Sequence, residues 1–151
     1  MIITFCGHSM ITDKPDLPDR VLAAITEIAA GKDVTFYIGA CGTFDGIARA
    51  CCRKYKERHP SARVIFVTPY LDEKYLKARD HLVREFDETI YPPIEKTPRR
   101  FAIIKRNEWM VKQADYVIAF VRFGWGGAAR MLRYAMAHHV PFLNLSGEVL
   151  D

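Results

Sequence analysis

The sequence contains no apolar run that approaches the length of a membrane span. Its first ten residues, MIITFCGHSM, are apolar, but they have neither a basic leader nor a small-residue cleavage site. We therefore interpret this segment as a buried first strand rather than a signal peptide. A cytoplasmic protein without a membrane partner is the resulting expectation.

Cysteine is scarce, and its spacing does not suggest a metal or redox motif. The four cysteines, Cys6, Cys41, Cys51 and Cys52, include no C-x-x-C pair. A chain of 151 residues can bury an ordinary core without disulfides or structural metals. We expect free thiols in a reducing compartment, and no required cofactor.

A strong excess of charge of one sign is also missing. Lysine and arginine number 22 against 18 aspartate and glutamate, a formal net charge of +4. Such a mild charge helps to attract anions, but nucleic-acid binding usually needs a concentrated basic face. One basic group that could neutralise a polyanion is Lys96, Arg99, Arg100, Lys105 and Arg106. Nucleic acid is therefore a possible partner that the composition does not favour.

Apolar strands and helix signals alternate along the chain. The sequence predicts strands at 2–6, 34–38, 63–67, 88–91, 116–121 and 140–145. It predicts helices from a cap at Asp16, from a cap at Thr43, and over 72–85, 101–113 and 128–136. The strands are continuous apolar runs, which is typical of a sheet covered on both faces. We predict one domain over 1–151, of class α/β: a Rossmann-like three-layer α/β/α sandwich with a mostly parallel sheet of five to six strands.

Ligands bind open parallel sheets at the carboxyl ends of the strands, so the turns there are the candidate sites. The first turn contains Gly7 and His8 after strand one. The second contains Gly39, Gly42, Thr43 and Asp45 after strand two. Glycines before a helix expose N–H groups that favour phosphate, and Thr43 either bonds a phosphate or caps the helix. Asp45 either accepts from a ribose hydroxyl or stabilises the helix N-terminus.

The third turn runs from Arg122 through Trp125, Gly126 and Gly127 into a helix that offers Arg130. Its paired glycines are typical of an anion cradle, although they also occur in plain connections. Trp125 could stack on a base or shield the turn from water. None of the three turns is a G-x-G-x-x-G fingerprint or a P-loop.

The order and spacing of several segments together resemble a known superfamily. These are the Phe5-Cys6-Gly7-His8 start, the turn from Gly39 to Asp45, the segment from Arg106 to Val121, and Gly126-Gly127. The chain resembles the SLOG superfamily of Rossmann-like proteins, which includes the DNA-processing protein A family and the LOG phosphoribohydrolases. The most similar branch is one of small stand-alone bacterial or phage proteins of unknown activity.

The resemblance implies a pocket for a nucleotide or a nucleotide-derived phosphate ligand. It implies that the ligand-facing positions are Gly7, Gly39, Gly42, Asp45, Gly126 and Gly127, with Arg106 pointing into the same crevice. A homodimer is implied as well. The LOG turn carries a catalytic glutamate, whereas this chain has Ala128-Ala129-Arg130-Met131 after its glycines. That departure argues against LOG-type phosphoribohydrolysis. It favours binding of the ligand, so the protein is expected to be a sensor or a sequestering module.

Two catalytic hypotheses and one hypothesis of nucleic-acid binding remain open. Cleavage or transfer at an N-glycosidic bond needs a carboxylate beside the anomeric carbon, for which Asp45 and Glu108 are the candidates. Cys6, His8 and Cys41 would share one sheet edge, but a metal or a Cys–His nucleophile there is not favoured over simple packing. Single-stranded DNA binding, by analogy with the DNA-processing branch, is the third reading.

Overall fold

A sheet of six parallel strands forms the centre of the protein. The computed structural model describes residues 1–151. The strands are β1 (Ile2–Gly7), β2 (Thr35–Ile38), β3 (Arg63–Val67), β4 (Glu88–Ile90), β5 (Tyr116–Phe120) and β6 (Phe142–Asn144). The helices are α1 (Leu17–Ala29), α2 (Gly42–Arg58), α3 (Glu73–Lys77), α4 (Asp80–Val83), α5 (Ala102–Gln113) and α6 (Gly127–Ala137). No helix combines the length and the apolarity that crossing a membrane requires.

The sheet is covered on both faces, as the continuous apolar strands predict. Ile3 and Phe5 of β1 belong to the core beneath α1 and α2, whereas Cys6 belongs to the core beneath α5 and α6. Alternate residues of one strand thus enter two different cores, which is the period-two geometry of a strand. The three-layer α/β/α sandwich and its mostly parallel sheet are confirmed, with six strands that are all parallel.

The strand order is β4-β3-β2-β1-β5-β6, so the chain moves outward from β1 in one direction and then in the other. The connection after β1 leads to one helix layer, and the connection after β5 leads to the opposite layer. The two loops therefore diverge and leave a crevice at the carboxyl ends of β1 and β5, which is where such sheets hold ligands.

The predicted helix over 72–85 is wrong as a single element. The structure has two short helices there, α3 and α4, neither of which buries a residue completely. A charged segment without a buried apolar face gains too little from packing to sustain a long helix. Other element boundaries differ as well. The last strand is only Phe142–Asn144, and β5 ends at Phe120. Residues 99–101 form a 3₁₀ turn before α5.

The two predicted helix caps do not form with their side chains. Asp16 precedes α1, but its backbone is in the right-handed helical region, and its carboxylate accepts no capping hydrogen bond. A capping side chain normally requires an extended backbone at that residue. Helix α2 begins at Gly42 rather than after Thr43, and the Thr43 hydroxyl donates to the carbonyl of Ser9 at 2.9 Å.

Two glycines of α2 should respond in opposite ways to replacement by alanine. Gly42 has φ +87°, and a Cβ there would lie 2.5 Å from the Cα of Ser9, whereas a Cβ at Gly46 meets no atom within 4 Å. We expect Gly42→Ala to lower the free energy of unfolding by about 1–3 kcal/mol. We expect Gly46→Ala to raise it by roughly 0.5–1 kcal/mol, because alanine restricts the unfolded chain. Urea unfolding measures both, and equal effects of the two changes would contradict the assignment.

Candidate ligand-binding cleft

A cleft of about 390 Å³ opens at the carboxyl ends of β1 and β5. This volume is within the range of small-molecule sites. Its walls come from four places: the loop after β1, the start of α2, the turn before α6 and one face of α5. The lining residues that matter below are Gly7, His8, Ser9, Cys41, Asp45, Arg106, Phe123, Trp125, Gly126 and Gly127.

Arg106 forms the charged floor of the cleft. It is only 1% exposed, although a guanidinium is costly to bury. Its Nη1 donates to the carbonyls of Gly39 at 3.0 Å and Val67 at 2.7 Å, and its Nε donates to Asn107 Oδ1 at 2.8 Å. Nη2 makes no hydrogen bond within the protein, so the guanidinium keeps donor capacity at the cleft. Burial lowers the pKa of Arg106, and the nearby charge of Asp45 opposes that shift.

Gly39 is needed for this arginine rather than for a ligand. A Cβ at Gly39 would lie 3.0 Å from Cζ of Arg106 and 3.1 Å from its Nη2. The missing side chain therefore makes room for the guanidinium. Gly39 does not itself line the cleft, so its predicted direct contact with a ligand is replaced by an indirect role.

Asp45 places a carboxylate in the same cleft. Its Oδ2 accepts the backbone N–H of Cys41 at 2.9 Å, which satisfies a donor at the start of α2. Burial raises the pKa of Asp45 to about 6, against the lowering effects of this hydrogen bond and of Arg106. Asp45 and Arg106 influence each other through space but form no salt bridge. The cleft thus presents one positive and one negative group that are not paired with each other.

The N-terminus of α2 is closed by the protein itself. The N–H of Thr43 donates to Ser9 O at 2.9 Å, and the N–H of Phe44 donates to His8 O at 3.3 Å. With Asp45 on the Cys41 N–H, only Gly42 retains a free donor at this helix start. The predicted phosphate cradle near Gly42 and Thr43 therefore has few free donors, because main-chain carbonyls of the β1 loop accept the N–H groups of Thr43 and Phe44.

The N-terminus of α6 is open by contrast. Gly126 precedes the helix with φ +91°, and no side chain caps the first turn. The N–H groups of the first turn therefore have no intrahelical partner, and Gly126, Gly127 and Ala128 line the cleft. No acidic residue stands in this turn to oppose an anion. This uncapped helix start lies where the third glycine turn predicts an anion cradle.

An aromatic stack borders the cleft above this helix start. The rings of His8 and Phe123 stack at 4.1 Å between centroids, and those of Phe123 and Trp125 stack at 4.2 Å. Trp125 is 69% exposed, so one face of its indole is available to a ligand. His8 Nε2 accepts the backbone N–H of Arg122 at 2.8 Å, which requires a neutral imidazole. Burial and the charge of Arg122 lower the pKa of His8.

Three further predicted side chains, Arg122, Arg130 and Glu108, lie outside the cleft, whereas Cys6 lines it. Arg122 is held by Asp13 at 2.8 Å, and Arg130 is exposed on α6. Glu108 pairs with Lys105 at 3.2 Å, so it is not placed for chemistry on a bound ligand. Cys6 is buried, its thiol donates to Ala128 O at 3.0 Å, and no three metal-ligating side chains cluster anywhere.

Several lining residues were not predicted. Ser9, Met10 and Cys41 follow or precede the predicted turn glycines, and Phe123 stands beside Trp125. Ile103, Asn107 and Met110 share one face of α5 with Arg106. Ile103 and Met110 are three and four residues from Arg106, a spacing that the sequence shows and that puts residues on one helix face.

His8 should make stability depend on pH in a defined direction. Its pKa in the folded state is below 6.5, so the unfolded chain takes up the proton first as pH falls. The stabilising contribution of His8 is therefore complete above pH 6.5 and is lost as pH falls through the folded-state pKa. His8→Phe keeps an aromatic ring but removes the acceptor for Arg122 N–H, which should cost about 1–3 kcal/mol at pH 8. Urea unfolding from pH 8 to 5 should show this deficit shrinking, and a constant deficit would argue against the assignment.

Comparison with known proteins supports the fold and adds relatives. No protein-family model matches the sequence. A curated relative, the uncharacterized SPbeta prophage-derived protein YoqJ of Bacillus subtilis, is 26% identical over 137 residues, which cover 79% of this chain and 80% of that protein.

Three solved structures are similar over nearly the whole chain. The structure of TM1055 gives a TM-score of 0.61 at 15% identity, with 97% of this chain and 74% of that chain covered. DNA processing protein A of Helicobacter pylori, which binds single-stranded DNA, gives a TM-score of 0.58 at 16% identity. DNA processing protein A of Streptococcus pneumoniae gives a TM-score of 0.63 at 14% identity. The match covers 94% and 99% of this chain but only 63% and 51% of theirs. The chain therefore has a Rossmann-like α/β fold like that of these proteins.

Proposed function

We propose that the protein binds a nucleotide or a nucleotide-derived phosphate ligand in the cleft between β1 and β5. The observation that carries the proposal is a buried guanidinium, Arg106, with an unbonded Nη2, in the same cleft as an open helix N-terminus. Two independent sources of positive potential face one small volume there. A buried charge that is incompletely paired inside the protein is best explained by an anionic ligand.

The phosphate is expected at the start of α6. Its oxygens would accept the free N–H groups of the first turn, where the helix dipole also favours negative charge. Arg106 would add a charge-assisted hydrogen bond from the floor, which is stronger than a neutral one. In this arrangement the glycines at 126 and 127 allow close approach of the ligand to the backbone.

The base of the ligand is expected on the aromatic stack. The exposed face of Trp125 borders the cleft, and Phe123 and His8 support the indole from behind. Stacking of a base on an aromatic side chain contributes roughly 1–3 kcal/mol and tolerates any base. A site of this kind suits a sensor or sequestering module. We propose a homodimer, and the mass in solution tests that part.

Cleavage of an N-glycosidic bond is the second candidate. It is favoured by Asp45, a carboxylate in the cleft whose pKa of about 6 suits proton transfer near neutral pH. With Glu108 on the outer side of α5, Asp45 would have to act without a second carboxylate. Binding remains the preferred proposal for that reason.

Binding of single-stranded DNA is the third candidate, since DNA processing protein A of Helicobacter pylori binds it. In this protein the Arg99 guanidinium lies 4.0 Å from the centre of the Tyr70 ring. The Arg100 guanidinium lies 4.8 Å from the centre of the Phe101 ring. Arg99 is partly neutralised by Asp72 at 2.9 Å. Retention of an oligonucleotide that weakens steeply with salt, with no response to mononucleotides, would favour this candidate over the nucleotide site.

Removal of the Arg106 charge should weaken nucleotide binding. A panel of nucleoside monophosphates is titrated calorimetrically, and the release of free base is followed in parallel. Arg106→Gln should lower affinity by about tenfold to a hundredfold, because a charged hydrogen bond contributes roughly 1.5–3 kcal/mol. Arg53→Gln, a change of the same kind on the exposed side of α2, is the matched control.

Failure of every nucleotide to bind the wild-type protein would overturn the proposal. Base release that Asp45→Asn abolishes would favour the enzyme. Circular dichroism and melting without ligand show whether Arg106→Gln has kept the fold.

Asp45 should make ligand affinity depend on pH. An anion on the floor of the cleft disfavours the ionised carboxylate, so the ligand binds better once Asp45 is protonated. Affinity for a nucleoside monophosphate should therefore rise as pH falls from 8 through about 6. Asp45→Asn should bind the ligand tightly at both pH 8 and pH 6. The pH dependence that remains in this variant comes from the phosphate of the ligand, and it is subtracted from that of the wild type. A wild-type affinity that falls relative to that of Asp45→Asn as the pH is lowered would instead show the carboxylate bonding the ligand, for example at a ribose hydroxyl.

A further inference from the structure

The four thiols of the protein differ sharply in accessibility. Cys6, Cys51 and Cys52 are buried, and Cys41 is exposed. Burial raises the pKa of each buried thiol, to about 11 for Cys51. The thiolate is the reactive form of cysteine, so these three are poor nucleophiles as well as inaccessible ones. Thiol chemistry on the folded protein is therefore concentrated at Cys41.

Cys41 lies on the wall of the cleft in a positive environment. It is the residue immediately before α2, a helix of 17 residues, and therefore stands at the positive end of the helix dipole. The buried guanidinium of Arg106 lines the same cleft, and its Nη2 makes no hydrogen bond within the protein. Arg106 is close enough to Cys41 for an electrostatic interaction between them. Asp45 is the opposing group, since its carboxylate is bonded to the Cys41 N–H. Groups of both signs, the Arg106 guanidinium and the Asp45 carboxylate, thus surround the exposed thiol.

The cleft also offers a place for the rest of a modifying molecule. A small disulfide that reaches Cys41 would lie beside a buried cation that lacks a full set of partners. A carboxylate on such a disulfide matches that cation in charge and in hydrogen-bonding geometry. An uncharged disulfide would gain nothing from Arg106.

We propose that Cys41 is a site of reversible thiol–disulfide exchange that selects small disulfides bearing carboxylates. The Cys41 thiol loses its proton to water, and the thiolate attacks one sulfur of the disulfide. The sulfur–sulfur bond of the reagent breaks as the Cys41 mixed disulfide forms, and the other half leaves as a thiolate that is protonated by water. Cys41 is oxidised and the leaving half is reduced, so the small disulfide is the only oxidant.

The mixed disulfide would fill the cleft and exclude a phosphate ligand. This consequence rests on the proposed function, whereas the exchange itself does not. Reduction by a dithiol would reverse the modification and reopen the cleft. The protein would then bind its ligand only under reducing conditions.

The exchange is tested with dithiobis(nitrobenzoate), an aromatic disulfide with two carboxylates that releases a coloured thiolate. The native protein should release one equivalent per chain rapidly, and the denatured protein should release four. Cys41→Ser should lose the rapid equivalent, and Cys51→Ser, a buried control of the same chemistry, should keep it. No rapid equivalent, or one that persists in Cys41→Ser, would overturn the proposal.

The selectivity is tested by comparing this reagent with dithiodipyridine, which carries no carboxylate. The ratio of the two rates should fall by about tenfold in Arg106→Gln and stay constant in Arg53→Gln. If Arg106→Gln does not fold, the same ratio is measured in the wild type, where added salt should reduce it. A ratio that neither the charge change nor salt alters would contradict a role for Arg106.

Blocking of the cleft is tested on the labelled wild-type protein. It should lose calorimetric binding of a nucleoside monophosphate, and dithiothreitol should restore it. Unchanged binding after labelling would overturn the blocking role alone. Absence of binding before labelling would overturn the proposed function, and the exchange measurements would still decide the role of Cys41.

Discussion

The buried guanidinium of Arg106 is the constraint on which the site depends. A charged group in a protein interior is unfavourable unless hydrogen bonds replace its hydration. Helix α5 delivers Arg106 to the ends of β2 and β3, where the carbonyls of Gly39 and Val67 accept from it. Gly39 must lack a side chain for the guanidinium to fit. One cation thereby fixes the relation between a helix and two strands and leaves one donor group for the cleft.

Two glycine turns of similar sequence acquire different roles from the topology. Both precede a helix on the same edge of the sheet, and both look like anion cradles. The loop after β1 crosses over the start of α2, and its carbonyls at His8 and Ser9 take the helix donors. Nothing crosses the start of α6, because β1 and β5 send their connections to opposite faces. Availability of main-chain donors, rather than the presence of glycine, separates a ligand site from a structural turn.

The cleft combines groups whose preferences conflict, and this makes it responsive to conditions. The α6 start and Arg106 favour an anion, whereas Asp45 opposes one until it is protonated near pH 6. The aromatic wall depends on a neutral His8, whose ring supports Phe123 and whose Nε2 holds the chain at Arg122. Cys41 lies beside the two opposing charges. The titratable groups of Asp45 and His8 and the exposed thiol of Cys41 thus line the same cleft.

The sequence by itself determined the fold class and the place of the site. Continuous apolar strands and helical periodicity require a covered parallel sheet, and glycine turns at strand ends mark its ligand edge. The resemblance implied that Gly7, Asp45 and Arg106 face one crevice, and all three line the cleft. The sequence could not show that α2 is closed, that Gly39 serves Arg106, or that Arg122 and Glu108 are held by Asp13 and Lys105. Those outcomes depend on hydrogen bonds and charges between residues far apart in the chain, which only the tertiary structure brings together.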